Sequence, residues 1–172
     1  LDADRDQKVI KTFSHEVKAL SQLSHPNVIA YHGCGQDSLG RPYLVMELID
    51  GAHTLEEELA PALDARQGLP LTRVRWVLME ILSALEAAHA LNMVHRDIKP
   101  GNIMLKESDG GPPSVKVLDF GLAKFTDEGD GTKTRHFAGT PMYAAPEQSL
   151  GQGIRGWTDL YAVAEIALEM IT

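Results

Sequence analysis

Apolar positions recur along this chain with periods that suit one element at a time. From Lys8 to Leu23 the residues Ile10, Phe13, Val17 and Leu20 repeat at helical spacing, and Glu16 borders that stripe one turn before Leu20. Ser24-His25-Pro26-Asn27 ends the helix, because the residue before a proline is pushed out of the α region. Val28 to Tyr31 and Tyr43 to Leu48 read as two short strands, joined by a Gly-containing turn around Asp37 to Pro42. A modest Glu-rich helix follows over Leu55 to Leu63. Thr72 is placed to cap a longer helix whose apolar face is Val74, Val77, Leu78, Ile81, Leu85 and Ala88. After a short mixed segment, His95 to Leu105, a turn at Gly110 to Pro113 leads into a strand with Val115, Val117 and Leu118. Residues 124–136 are polar and read as a mobile loop, and a last helix is expected to bury Leu160, Val163, Ala167, Leu168 and Ile171.

The order of elements is helix, two strands, then mostly helices, which predicts an α+β fold. At 172 residues and 44% hydrophobic content the chain suits one domain with a buried core. Its formal net charge is −8, with no cluster of Lys and Arg, which argues against nucleic acid as a partner. The single cysteine, Cys34, excludes an internal disulfide framework and reads as a small buried residue near a strand end. There is no apolar run of membrane-spanning length and no secretory signal pattern, so no membrane contact is expected within this segment and a cytoplasmic setting is. A full-length protein anchored to a membrane by other regions stays compatible with this. The first residue, Leu1, and the uncapped apolar pattern Leu160 to Thr172 read as interruptions of a longer protein.

Three motifs occur in order: His95-Arg96-Asp97-Ile98-Lys99-Pro100-Gly101-Asn102 followed by Ile103-Met104-Leu105, then Asp119-Phe120-Gly121, then Gly139-Thr140-Pro141-Met142-Tyr143-Ala144-Ala145-Pro146-Glu147. With them the chain resembles the protein kinase superfamily, and specifically its eukaryotic-like serine/threonine members. The resemblance implies an incomplete kinase-like fold. Residues 1–49 would be a remnant of the N-lobe and hinge, and residues 50–172 the C-lobe through the helix beneath the catalytic loop. It implies ATP and Mg²⁺ as cofactors and proteins with Ser or Thr hydroxyls as substrates.

Phosphoryl transfer spreads negative charge over the migrating group, so such a site positions reactants and supplies positive charge. By the resemblance, Asp97 accepts or orients the proton of the substrate hydroxyl, and Lys99 faces the migrating phosphate. Thr140 bonds both. Asn102 and Asp119 offer oxygen to Mg²⁺, as a hard cation prefers. The Lys two residues after Asp97, and Thr140, resemble the serine/threonine class. The strand Tyr43 to Ile49 resembles the approach to the hinge, with Met46 as gatekeeper and the backbones of Glu47 and Ile49 meeting adenine. Met104 lines the nucleotide site. His95, Phe120, Leu20 and Tyr31 read as core spine residues. Glu16 matches the helix glutamate that pairs with a strand lysine, and Asp159 the aspartate that anchors the catalytic loop. Arg96 before Asp97 implies a phosphate-responsive loop, with Thr132 and Thr134 resembling the paired threonines of bacterial receptor-type kinases; phosphate there adds roughly −1.5 to −2 charge and would dock on Arg96.

Neither a Gly-rich phosphate loop nor the strand lysine occurs in these residues, and Lys8, Lys11 and Lys18 lie on or beside the Glu16 helix itself. Glu147 is expected to lack its arginine partner. The chain alone is therefore expected to turn over weakly or not at all. The alternatives are a pseudokinase or binding scaffold, and a small-molecule phosphotransferase.

Overall fold

Hairpins, caps and one long amphipathic helix build the part of the molecule that carries the motifs. The computed structural model describes residues 22–120, 141–151 and 153–172. The helix expected over Lys8 to Leu23, almost in full, together with Glu16, the loop at 124–136 and Thr140, lies outside the described residues.

β1 (Tyr31–Gln36) and β2 (Pro42–Met46) form a two-stranded antiparallel sheet with an irregularity between Tyr31 and Gly33. Asp37 makes the turn: its Oδ1 accepts from the Leu39 and Arg41 amides, both at 2.9 Å, and Gly40 takes φ 77°. Cys34 lies half-buried in β1 as a free thiol. The expected strand Val28 to Tyr31 does not form, since the ladder starts at Tyr31. Upstream of it the backbone bonds to another strand instead: Ile29 N donates to Val117 O at 3.0 Å, and Val117 N to Asn27 O at 2.8 Å. Burying Val28 and Ile29, each 2% exposed, favours that course over continuing the hairpin. The second strand also stops short, at Met46, and Leu48 is exposed.

β3 (His53–Thr54), β4 (Ile103–Ser108) and β5 (Gly111–Val117) form an antiparallel sheet in that order. Ile103 and Leu105 on β4 and Val115 and Val117 on β5 are buried, so the opposite face carries Met104 and its partner Lys116. The turn expected at Gly110 to Pro113 lies earlier, at Asp109-Gly110, with Gly110 at φ 77°. Gly111, Pro112 and Pro113 open β5, where a missing N–H costs little on an edge strand.

α1 (Leu55–Asp64) begins at a capping box in which Thr54 Oγ1 accepts from Glu57 N at 3.1 Å and Glu57 Oε2 accepts from Thr54 N at 2.7 Å. α2 (Leu71–Ala90) starts one residue before Thr72. Pro70 sets the start, because its carbonyl takes the Arg73 and Val74 amides; Thr72 is a first-turn residue and not the cap. Val74, Val77, Ile81, Leu85 and Ala88 are buried, as the periodicity predicts; Ala84 joins them, and Leu78, expected on the same face, lies only at its border.

α3 (Pro146–Leu150) ends at Gly151, φ 63°, and α4 (Gly156–Ile171) packs on α2. α4 is rotated from the expected face. Thr158, Asp159, Ala162, Val163, Ile166 and Met170 are buried, whereas Leu160, Leu168 and Ile171 are exposed. The apolar arc of this helix is broad, interrupted by Asp159 and by the Thr158, Glu165 and Glu169 stripe, so periodicity does not settle which part of the arc is buried; the bonds of Asp159 to the loop after α2 select it. Among the described residues no helix is long and apolar enough to cross a membrane.

Ile81 is fully buried in the α2 face, whereas Met79 is exposed. Ile81→Ala is expected to lower unfolding free energy by about 2–5 kcal/mol. Met79→Ala should stay within about 0.5 kcal/mol. Urea denaturation of the two variants checks both.

Candidate active site

Asp159, 1% exposed near the start of α4, faces the chain as it leaves α2. Its Oδ2 accepts from His95 N at 2.9 Å and lies 2.8 Å from His89 Nε2, and its Oδ1 accepts from Arg96 N at 2.8 Å. These bonds hold Arg96 at φ 73°, a left-handed conformation that costs a non-glycine residue roughly 1–2 kcal/mol.

His95 is fully buried and uses both ring nitrogens. Nε2 donates to the Leu118 carbonyl at 2.6 Å, and Nδ1 accepts from Asp97 N at 3.2 Å. One neutral tautomer satisfies both contacts, whereas a second ring proton would point at the Asp97 amide. Burial accordingly pulls the His95 pKa below its ordinary value, against the opposing charges of Asp159, Asp97 and Asp119. Its ring meets Phe120 edge-on, with centroids 4.6 Å apart.

The chemistry-bearing side chains follow directly. Lys99 Nζ pairs with Asp97 Oδ2 at 2.8 Å. Asn102 Nδ2 donates to Asp97 O at 2.7 Å and to Asp97 Oδ2 at 3.2 Å. A 3-10 turn over Pro100–Asn102, closed by Asn102 N to Lys99 O at 2.9 Å, sets that spacing. Leu118 is held on both sides, its N–H by Asn102 O at 2.9 Å and its carbonyl by His95. Asp119 comes next, at φ 56°, so its departure point is fixed by the same loop that carries Asp97. Tyr31 lies half-buried beside it, its buried hydroxyl approaching the Asp119 and Phe120 amides without closing a hydrogen bond. Burial, then the Asp119 charge, pushes the Tyr31 phenol up to about 12.

Just past β2, the Glu47 N–H is taken by Ala30 O at 2.8 Å. Its Oε2 accepts from Ala30 N at 3.2 Å and pairs with Lys116 Nζ at 3.0 Å, and Lys116 also donates to Val28 O at 3.3 Å. Desolvation works to raise the Glu47 pKa, but Lys116 and the Ala30 amide outweigh it and hold it below the usual value. Ile49 is half-buried and its carbonyl accepts from Ala52 N at 3.2 Å. Met46 is partly exposed at the end of β2, and Met104 is half-buried. Glu16, Thr132, Thr134 and Thr140 lie outside the described residues.

Three participants escape motif reading. The Glu47–Lys116 pair joins side chains far apart in sequence. Glu147, expected to lack an arginine partner, is half-buried and accepts from Thr158 Oγ1 at 2.8 Å. Gln148 reaches the Arg96 carbonyl with its Nε2 at 2.7 Å. Its place three residues after Ala145, where a helix-start side chain folds back on the cap, was the available signal. A separate cluster of His53, Glu58 and Glu107 has the look of a metal site. The Arg73 guanidinium bonds both of its carboxylates, which makes it an ion-pair network.

Residues 1–172 match the protein kinase domain family. The chain belongs to the protein kinase family. It is 42% identical over 168 residues to serine/threonine-protein kinase Pkn1 of Myxococcus xanthus, covering 96% of this chain and 23% of that protein. It is 38% identical over 171 residues to serine/threonine-protein kinase pkn3 of the same organism, covering 97% and 30%. The crystal structure of the Mycobacterium tuberculosis PknI kinase domain superposes with a TM-score of 0.72 at 26% identity, over 95% of this chain and 57% of that one. The chain thus spans under a third of these curated relatives, and its fold is a partial kinase fold of mixed helix and sheet.

The depressed His95 pKa sets a pH dependence. The neutral ring is favoured in the folded state, so its contribution is complete above the ordinary value of 6.5 and is lost as pH falls below it. His95→Phe is expected to lose less melting temperature between about pH 7.5 and about pH 5.5 than the parent does. Equal acid losses in the two would contradict the assignment.

Proposed function

We propose that this chain carries the phosphoryl-transfer site of a serine/threonine protein kinase, which moves the ATP γ-phosphate to Ser or Thr hydroxyls of proteins. The observation that supports it best is the contact set of Asp97 with Lys99 and Asn102, beside an Asp119 whose backbone is tied to the same loop through Leu118. Use of ATP and a divalent cation is general to the kinase family. The donor set here fits such an ion: with Asn102 Nδ2 turned to Asp97, the amide oxygen accepts no hydrogen bond among the described residues, and Asp119 adds a charged oxygen. Bound Mg-ATP supplies the phosphoryl group and neutralises its charge.

In this reading Asp97 orients the substrate hydroxyl and accepts its proton. Lys99, already paired with Asp97, sets a positive charge where the migrating group passes. The same reading assigns Thr140, which lies outside the described residues, to bonding these two side chains. Glu47 offers adenine its carbonyl, since its N–H is occupied by Ala30, and Ile49 offers its backbone two residues later. Met104 lies on the sheet face turned away from the core and lines the base. Residues 1–49 then belong to the N-lobe and hinge, with Glu16 poised to pair a strand lysine, and residues 50–172 to the C-lobe. Arg96 Nε is buried and finds no hydrogen-bond partner among the described residues. A buried N–H without an acceptor is costly, and an anion such as a phosphorylated Thr132 or Thr134 would satisfy it.

Labelled phosphate transfer from ATP to a Ser/Thr peptide by the full-length protein tests the reading. Asp97→Ala is expected to lower kcat by about 10²–10⁴-fold. An undiminished rate in the variant, or transfer to small alcohols alone by the parent, would sink it. Phosphopeptide mapping of the active protein is expected to find Thr132 or Thr134 modified, and both unmodified would remove the docking role of Arg96.

A further inference from the structure

The peptide unit between Arg96 and Asp97 is gripped at both polar ends. Its carbonyl oxygen accepts from Gln148 Nε2 at 2.7 Å, and its N–H donates to His95 Nδ1 at 3.2 Å. A planar peptide moves as a unit, so fixing both ends fixes the direction from which Asp97 projects its side chain. Asp159 cannot do this alone. It holds the N–H of Arg96, and rotation about the next bond, Arg96 ψ, swings the carbonyl without disturbing that contact. Arg96 sits at φ 73°, away from the well that an Arg prefers, so its carbonyl needs a second restraint.

Gln148 supplies it from 52 residues away. The other arm of the same amide, Oε1, accepts from Ala145 N at 3.0 Å, where the chain turns into α3. A glutamine amide has one accepting and one donating end, and this orientation alone satisfies both neighbours. The side chain is thus a bracket, with one end on the opening of α3 and the other on the peptide that precedes Asp97.

We propose that Gln148 is a positioning residue for Asp97: it holds the Arg96–Asp97 peptide plane in register with the segment that opens α3, so that the aim of the Asp97 carboxylate depends on how that segment is seated. The proposal rests on the reading of Asp97 as the catalytic group. Gln148 itself touches no reacting atom.

Gln148→Glu tests it with almost no change of shape. The variant keeps an acceptor for Ala145 N but turns a carboxylate oxygen toward the Arg96 carbonyl. Protonating that carboxyl restores a donor. Gln148→Met fills similar space and cannot regain a donor at any pH. Peptide phosphorylation by the full-length protein is measured at saturating ATP and peptide, each variant divided by the parent at the same pH. At about pH 8, kcat of both variants is expected to fall on the order of tenfold, as small misplacements of a reacting group do, with KM for ATP within about twofold. As pH is lowered toward about 5, where a carboxyl raised by facing the Arg96 carbonyl oxygen regains its proton, the ratio for Gln148→Glu should climb and that for Gln148→Met should not. An active parent with unaffected variants overturns this proposal alone, as does a loss of equal size in both variants that ignores pH. A parent that transfers no phosphate overturns the functional reading and this one with it.

Discussion

A carboxylate at 1% exposure survives in a protein interior only if donors replace the water it has lost, and Asp159 has the His95 and Arg96 amides and the His89 ring. Those donors come from the end of α2 and from the loop after it, while the acid comes from α4. One side chain therefore joins two helices and fixes the backbone that displays Asp97. The rotation of α4 about its own axis follows from the same contact. Removing the acid would leave these three donors without their acceptor, so the loop and the helix packing are not separable.

Two non-glycine residues flank the site in left-handed conformations, Arg96 at φ 73° and Asp119 at φ 56°. Such conformations persist where the surroundings over-determine them. Around Arg96 the determinants are Asp159 on its N–H and Gln148 on its carbonyl. Before Asp119 they are His95 and Asn102, which hold the two polar groups of Leu118. His95 takes part in both arrangements, since its second nitrogen receives the Asp97 amide. Burying a neutral imidazole here links the two strained points through one rigid ring.

Much of this was legible in the residues themselves. The long helix is amphipathic, and its buried face matches the apolar spacing from Val74 to Ala88. The order of the three motifs pointed to the family, and the geometry brings Lys99 and Asn102 onto the Asp97 carboxylate. What stayed hidden has physical reasons. Thr72 looks like a cap, but the proline two residues earlier offers its carbonyl first. Val28 to Tyr31 has strand composition, yet its backbone pairs with β5 because burial there is better. α4 carries apolar residues all round, so a polar contact chose its face. Long-range partners such as Thr158 with Glu147, or Lys116 with Glu47, leave no periodic trace.

The β4–β5 hairpin closes on itself at the end near the site. Asn102, just before β4, binds Leu118, just after β5, while the other end of the hairpin is an exposed turn at Asp109-Gly110. With its base latched in this way, the hairpin isolates its tip from the chemistry. Insertions or swaps at the tip would be absorbed by solvent. Evolution is thereby left a free surface on which to graft new loops while the distance between Asn102 and Asp119 stays constant.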